Sequence, residues 1–170
     1  MIPLRDHNPS KSTPLLTYFI ILLNVFVFLY MLTLSESQLH DYIYSYSVIP
    51  ADIVKGINLH TLLTSMFLHG GLGHIFGNMI FLHVFGDNIE DKLGKIRFLF
   101  FYIASGLAAS FAQIAVGPGS TIPNLGASGA IAGVMGGYIL LFPHAKVDVL
   151  FIWGFFIRIL QFPAYIMLGY

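Results

Sequence analysis

The sequence contains no cysteine, and Lys, Arg, Asp and Glu together supply only 9% of its 170 residues. The lack of cysteine excludes disulfides and thiolate metal sites, and leaves the redox compartment open. The shortage of charge excludes an ordinary soluble surface, which carries about 25% charged residues. The formal net charge is zero, so there is no basic face of the kind that binds nucleic acid.

What is present is apolar: 56% of the residues are hydrophobic. Windows 15–34 and 56–86 contain no charge, and a membrane helix needs about 20 largely apolar residues to cross a core of roughly 30 Å. Arg5 and Lys11 precede the first window as in a signal peptide. That window is longer than a usual signal core and lacks a small-residue cleavage pattern, so it reads as a retained first helix.

The expected fold is all-α, a polytopic transmembrane helical bundle in one domain over 1–170, with helices at about 15–34, 62–86, 98–116 and 127–142. Between the first two lies a loop, 35–58, whose Tyr42, Tyr44 and Tyr46 suit the headgroup layer. An ordinary extramembrane loop fits equally. The stretch 87–97 reads as a charged loop and 117–125 as an uncharged one. At the end, 149–157 is only half a span, and Arg158 and Pro163 follow. One alternative is a fifth helix with Arg158 buried or snorkelling. The preferred one is an interfacial segment to about Ile159 and then a partial fifth helix, 160–170, which leaves Arg158 at the interface and Pro163 in a first turn. Lysine and arginine concentrate in the N-terminal lead, in 87–97 and at Lys146. The positive-inside rule therefore predicts a multi-pass protein with a cytoplasmic N-terminus and Ser128 toward the outer leaflet.

The segment 126–137 reads Gly-Ala-Ser-Gly-Ala-Ile-Ala-Gly-Val-Met-Gly-Gly. Ser128 stands at a helix start, where unpaired N–H groups stabilise a developing oxyanion. Alternatively, Gly129, Gly133 and Gly137 form a stripe that lets two membrane helices approach closely. A helix of about 16 residues at 1.5 Å rise spans only about 24 Å, which predicts a recessed, wet pocket around Ser128. His74 and Asn78, four residues apart, share a helix face and can both donate hydrogen bonds; the alternative is polar glue between helices. His69, His74 and His83 crowd one segment. Positions 69 and 74 lie about 140° apart on a helix, and no His-Glu-x-x-His pattern is present, so no metal site is expected. His83 reads as a packing residue and Asp87 as a solvated loop carboxylate.

These residues resemble the rhomboid intramembrane serine proteases. His69-Gly-Gly-Leu-Gly-His74-Ile-Phe-Gly-Asn78 is similar to the family's second-helix motif, and Gly126-Ala-Ser128-Gly129 to its Gly-x-Ser-Gly motif. The stretches at 2–6, 85–94 and 162–165 are also similar. The resemblance implies an intramembrane serine endopeptidase that cuts transmembrane protein substrates near the outer membrane face. It implies Ser128 as nucleophile, His74 and Asn78 with the Ser128 N–H as oxyanion hole, His69 and Gly126 shaping the pocket, and neither cofactor nor metal. Where the family often has Glu-x-Arg, this chain has Glu90-Asp91-Lys92, and lysine lacks arginine's bidentate fork. The family's general base is a histidine on a sixth helix, and the resemblance assigns that role to none of the seven histidines here. The glycine stripe wants a close partner helix as well. The expectation is a chain truncated within the fifth helix and lacking the sixth, whose gene continues past Tyr170 or whose partner is a missing C-terminal fragment carrying the base. The 170 residues alone should then show little turnover. The alternative is a rhomboid-like pseudoprotease that binds transmembrane helices in the lipid bilayer without cleaving them. A channel or transporter is disfavoured, since the first four expected helices carry no charge to mark an ion path.

Overall fold

A computed structural model of the chain describes residues 2–154 and 156–169. In chain order the elements are β1 (Ile2–Asp6), α1 (Leu15–Met31), α2 (Glu36–Tyr46), α3 (Pro50–Val54), α4 (Thr61–Thr64), a 3-10 turn at Ser65–Phe67, α5 (Leu72–Leu93), α6 (Lys95–Val116), α7 (Ser128–Leu141), β2 (Lys146–Trp153), β3 (Phe156–Pro163) and α8 (Ala164–Gly169).

The bundle is built around α7. Its glycine stripe allows the close approach, and the partner is α6. A methyl added at Gly129 would lie 2.5 Å from the Ala109 Cβ, and one at Gly133 would lie inside Ser105. The stripe is therefore already filled, which corrects the expectation that it awaits a helix from outside the chain. Ser105, Gly106 and Ala109 give α6 a small-residue face that matches it, and packing small faces is how membrane helices associate. The opposite side of α7 buries Ile131, Val134 and Tyr138, with the Tyr138 ring edge-on to Phe85 of α5 at 4.9 Å.

Outward faces are apolar. Phe19, Leu22 and Phe26 of α1 and Phe100 of α6 are exposed, as expected of helices whose solvent is lipid. Among the described residues α6 is the one helix long and apolar enough to cross a membrane, while α1 and α7 are apolar but have 17 and 14 residues.

The all-α expectation is corrected by a three-stranded antiparallel sheet in the order β1-β2-β3. β2 pairs with β3 from Lys146↔Pro163 to Trp153↔Phe156, and β1 pairs with β2 from Ile2↔Leu150 to Asp6↔Val147. The expected interfacial segment is thus a hairpin. β-branched Val147 and Val149 bury one face of it, and Gly154 turns the chain at φ +58°, a conformation glycine adopts without steric cost. Arg158 lies in β3 opposite Phe151, and helical structure resumes only after Pro163, in α8.

Two further differences concern loops. The segment 35–58 contains α2 and α3. Ser35 and Gln38 close a capping box on α2, and Pro50 stands in the first turn of α3, both helix-start signals in the sequence. The charged stretch after the second expected helix is the continuation of α5 to Leu93. Asp87 is therefore a half-buried helical carboxylate that accepts from Asn88 N at 2.7 Å. The same helix carries Glu90, only 2% exposed. Its carboxylate accepts from Leu16 N at 3.1 Å, Thr17 N at 2.8 Å and Thr17 Oγ1 at 2.8 Å. α1 starts after Pro14 with no side-chain cap of its own, so Glu90 satisfies its orphan donors and complements its dipole.

Candidate active site

α5 and α7 run the same way, so both begin at the end of the bundle remote from the sheet. Ser128 is the first residue of α7, which has no side-chain cap, leaving its first N–H groups directed at whatever occupies the site. The chain enters through Gly126, at φ +128°. Gly126 N donates to Ser65 O at 2.9 Å, and upstream Val48 and Asn124 exchange two backbone hydrogen bonds of 3.0 and 2.8 Å. The loop before Ser128 is therefore fastened to the 3-10 turn and to the end of α2.

His74 comes from the first turn of α5. Gly70 N donates to its Nδ1 at 3.3 Å; an accepting Nδ1 places the proton of the neutral ring on Nε2 and makes that nitrogen a donor. Nε2 lies on the Gly126 side: a methyl on Gly126 would be 2.8 Å from both Cε1 and Nε2 of His74 and 3.8 Å from Ser128 Oγ. One turn further along α5, Asn78 is buried and its Nδ2 has no hydrogen-bond partner among the described residues. An unpaired buried amide costs free energy and calls for an explanation. His69 is buried behind His74, with ring centroids 5.0 Å apart and the planes nearly perpendicular.

Ser128 lies between two cavities. A groove of about 300 Å³ between α5 and α7 is lined by Gly73, His74, Gly77, Asn78, Phe81, Ser128, Ile131 and Met135. A cavity of about 240 Å³ on the other side includes Ser65, Ser110, Gln113, Asn124, Gly126 and Ser128. All five expected site residues are thus brought to one end of the bundle. Ser128, His74 and Asn78 share the groove, Gly126 touches His74, and His69 backs it. No side chain among the described residues hydrogen-bonds Ser128 Oγ. His83 is exposed and stacks on Tyr18 of α1 at 6.2 Å. Sequence reasoning missed the wall formed by Ser65, Ser110, Gln113 and Asn124, because scattered polar residues on three elements leave no periodic signal.

These features define a helical protein with a serine-bearing groove at one end of a small-residue helix. The sequence profile of the Rhomboid domain matches residues 57–170, and the chain belongs to the rhomboid family, whose members are membrane proteins. It is 36% identical over 116 residues to RHOMBOID-like protein 12, mitochondrial, of Arabidopsis thaliana, covering 59% of this chain and 34% of that protein. It is 36% identical over 95 residues to Rhomboid protein 1, mitochondrial, of Saccharomyces cerevisiae, covering 51% and 26%. It is 29% identical over 127 residues to Rhomboid protease GluP of Bacillus subtilis, covering 75% and 24%. The matches span about a third or less of these relatives.

Proposed function

We propose that the chain carries the nucleophile and oxyanion hole of an intramembrane serine endopeptidase. The observation that carries this is the convergence on one groove of Ser128, the His74 Nε2–H and the unpaired Asn78 Nδ2. Ser128 Oγ attacks the scissile carbonyl of a substrate transmembrane helix unwound at its end, and its proton passes to a base. The carbonyl oxygen becomes an oxyanion held by the two side-chain donors and the Ser128 N–H. Collapse expels the amine with that proton, and water then hydrolyses the acyl-enzyme. Neither metal nor cofactor takes part.

The base is a histidine on a segment outside these 170 residues, seated in the groove between α5 and α7. Space for it exists there: methyls added at Gly73, Gly77 and Gly136 would meet nothing within 4 Å. The positive-inside distribution puts the N-terminus in the cytoplasm and Ser128 toward the outer leaflet. The second reading, a pseudoprotease that binds helices without cutting them, uses the same groove. The unpartnered Asn78 amide favours the enzyme, since a binding surface gains nothing from a buried unpaired donor. Fluorophosphonate labelling of the full-length gene product against Ser128→Ala is the test. Labelling that requires Ser128 supports the enzyme; equal labelling of both proteins overturns the assignment.

A further inference from the structure

We propose that the β2–β3 hairpin inserts its tip into the phospholipid leaflet at the end of the bundle opposite Ser128, as an interfacial anchor independent of the serine site. The outward face of the hairpin changes character along its length. Its Asp148↔Gln161 rung is polar: Asp148 takes hydrogen bonds from Arg5 Nε at 2.7 Å and Gln161 Nε2 at 3.1 Å, and contacts His7 Nε2 at 2.8 Å. The next rungs on that face are Leu150↔Ile159 and Ile152↔Ile157. Ile152, Ile157 and Ile159 are 53%, 63% and 63% exposed.

A strand with one wet face alternates polar and apolar residues. From 150 to 157 the sequence is Leu-Phe-Ile-Trp-Gly-Phe-Phe-Ile, with no polar side chain, so the alternation expected of a wet face stops along this run. At about 3.3 Å per residue the apolar run 150–153 of β2 is roughly 10 Å long, comparable with the 5–10 Å to which interfacial segments bury their apolar faces, while Arg158 of β3, opposite Phe151, has a side chain long enough to reach the headgroups. β3 is an edge strand, and unpaired backbone groups there prevent deeper burial in hydrocarbon.

Lipid is the occupant because the bilayer already surrounds the helices from which the hairpin emerges. Exposed Lys92, Lys95, Arg97, Lys146 and Arg158 at this end of the bundle also complement anionic headgroups.

Trp153 is the sole tryptophan of the chain and reports directly on the tip. With the chain reconstituted in phosphatidylcholine–phosphatidylglycerol vesicles, its emission should be blue-shifted. It should lose most of its intensity when the lipids carry bromine near the headgroup end of the acyl chain, and be insensitive to aqueous iodide. The Ile152→Asp/Ile157→Asp variant changes an exposed rung only; it should shift emission to the red, abolish quenching by lipid and admit iodide. Iodide quenching of the unaltered chain, stronger quenching from bromine near the terminal methyl, or blue emission that neither quencher touches would each overturn the proposal. They would mean a tip in water, a tip in the bilayer centre and a tip covered by protein.

Discussion

Gly126 and His74 are in closer contact than any residue with a Cβ would allow. A methyl at position 126 falls 2.8 Å from two imidazole ring atoms, at a backbone φ of +128°. Gly126→Ala should therefore act twice. The strained backbone costs about 1–3 kcal/mol, and the displaced ring takes Nε2 away from the oxyanion position. Loss of one such donor costs about 10²–10³ in rate. The fluorophosphonate labelling rate of the full-length product should fall by roughly the same factor. Labelling at the unaltered rate would show that His74 is not an oxyanion donor.

Asn78 separates catalysis from packing. As glue between helices, its removal would lower stability. As a buried donor with no partner among the described residues, its removal relieves a desolvation cost of about 1–3 kcal/mol, which offsets the lost packing. Asn78→Ala should leave the unfolding temperature in detergent nearly unchanged and reduce labelling by about 10²-fold or more. A large fall in Tm with labelling preserved in the folded fraction would return Asn78 to the glue reading.

Much of this site is legible in the sequence because its parts are local. His74 and Asn78 are one helical turn apart, Gly126 and Ser128 two residues apart, and both pairs sit at helix starts. What is illegible is non-local. Nothing near Glu90 reveals that it caps α1, 73 residues away from Thr17; a carboxylate in a charged stretch looks solvated until the uncapped partner is seen. The sheet is hidden for the same reason. β1 is a five-residue stretch whose strand character comes from pairing with β2 across the whole chain, and short apolar runs do not distinguish strand from helix by periodicity. The glycine stripe was legible as a packing surface, but not its partner, since Ser105 and Ala109 are unremarkable until placed opposite it.

Asp6 makes stability sensitive to pH. Burial pushes its carboxyl up to about 6, although hydrogen bonding from Tyr138 opposes this; Asn88 Nδ2 also donates to it at 2.9 Å. Between about pH 4 and 6 the unfolded chain loses this proton while the folded one keeps it, so stability falls as pH rises through that window. Asp148 contributes with the opposite sign, because Arg5 first, then His7 and Gln161, hold its carboxyl well below the usual carboxylate range. Its stabilisation is fully present above that range and is lost as pH falls below it, toward the depressed folded-state value. Comparing Tm against pH for the unaltered chain and Asp6→Asn isolates the first effect. The difference between them should grow from pH 4 to 6 in favour of the variant, and a constant difference would refute the linkage.

Gly133 and Gly136 are close neighbours on α7 with opposite surroundings. A methyl at Gly133 would lie within the Ser105 side chain, whereas one at Gly136 meets nothing within 4 Å. Alanine in place of glycine inside a helix gains about 0.5–1 kcal/mol from the backbone, and overpacking a close helix contact costs about 1–3 kcal/mol. Gly133→Ala should therefore lower Tm, and adding Ser105→Gly, which removes the clashing atoms, should restore part of it. Gly136→Ala should hold or raise Tm in the 170-residue chain. In the full-length product the same methyl narrows the space proposed for the base-bearing segment, so labelling should drop although the protein is no less stable. Unchanged labelling of full-length Gly136→Ala would show that no segment packs closely over that position.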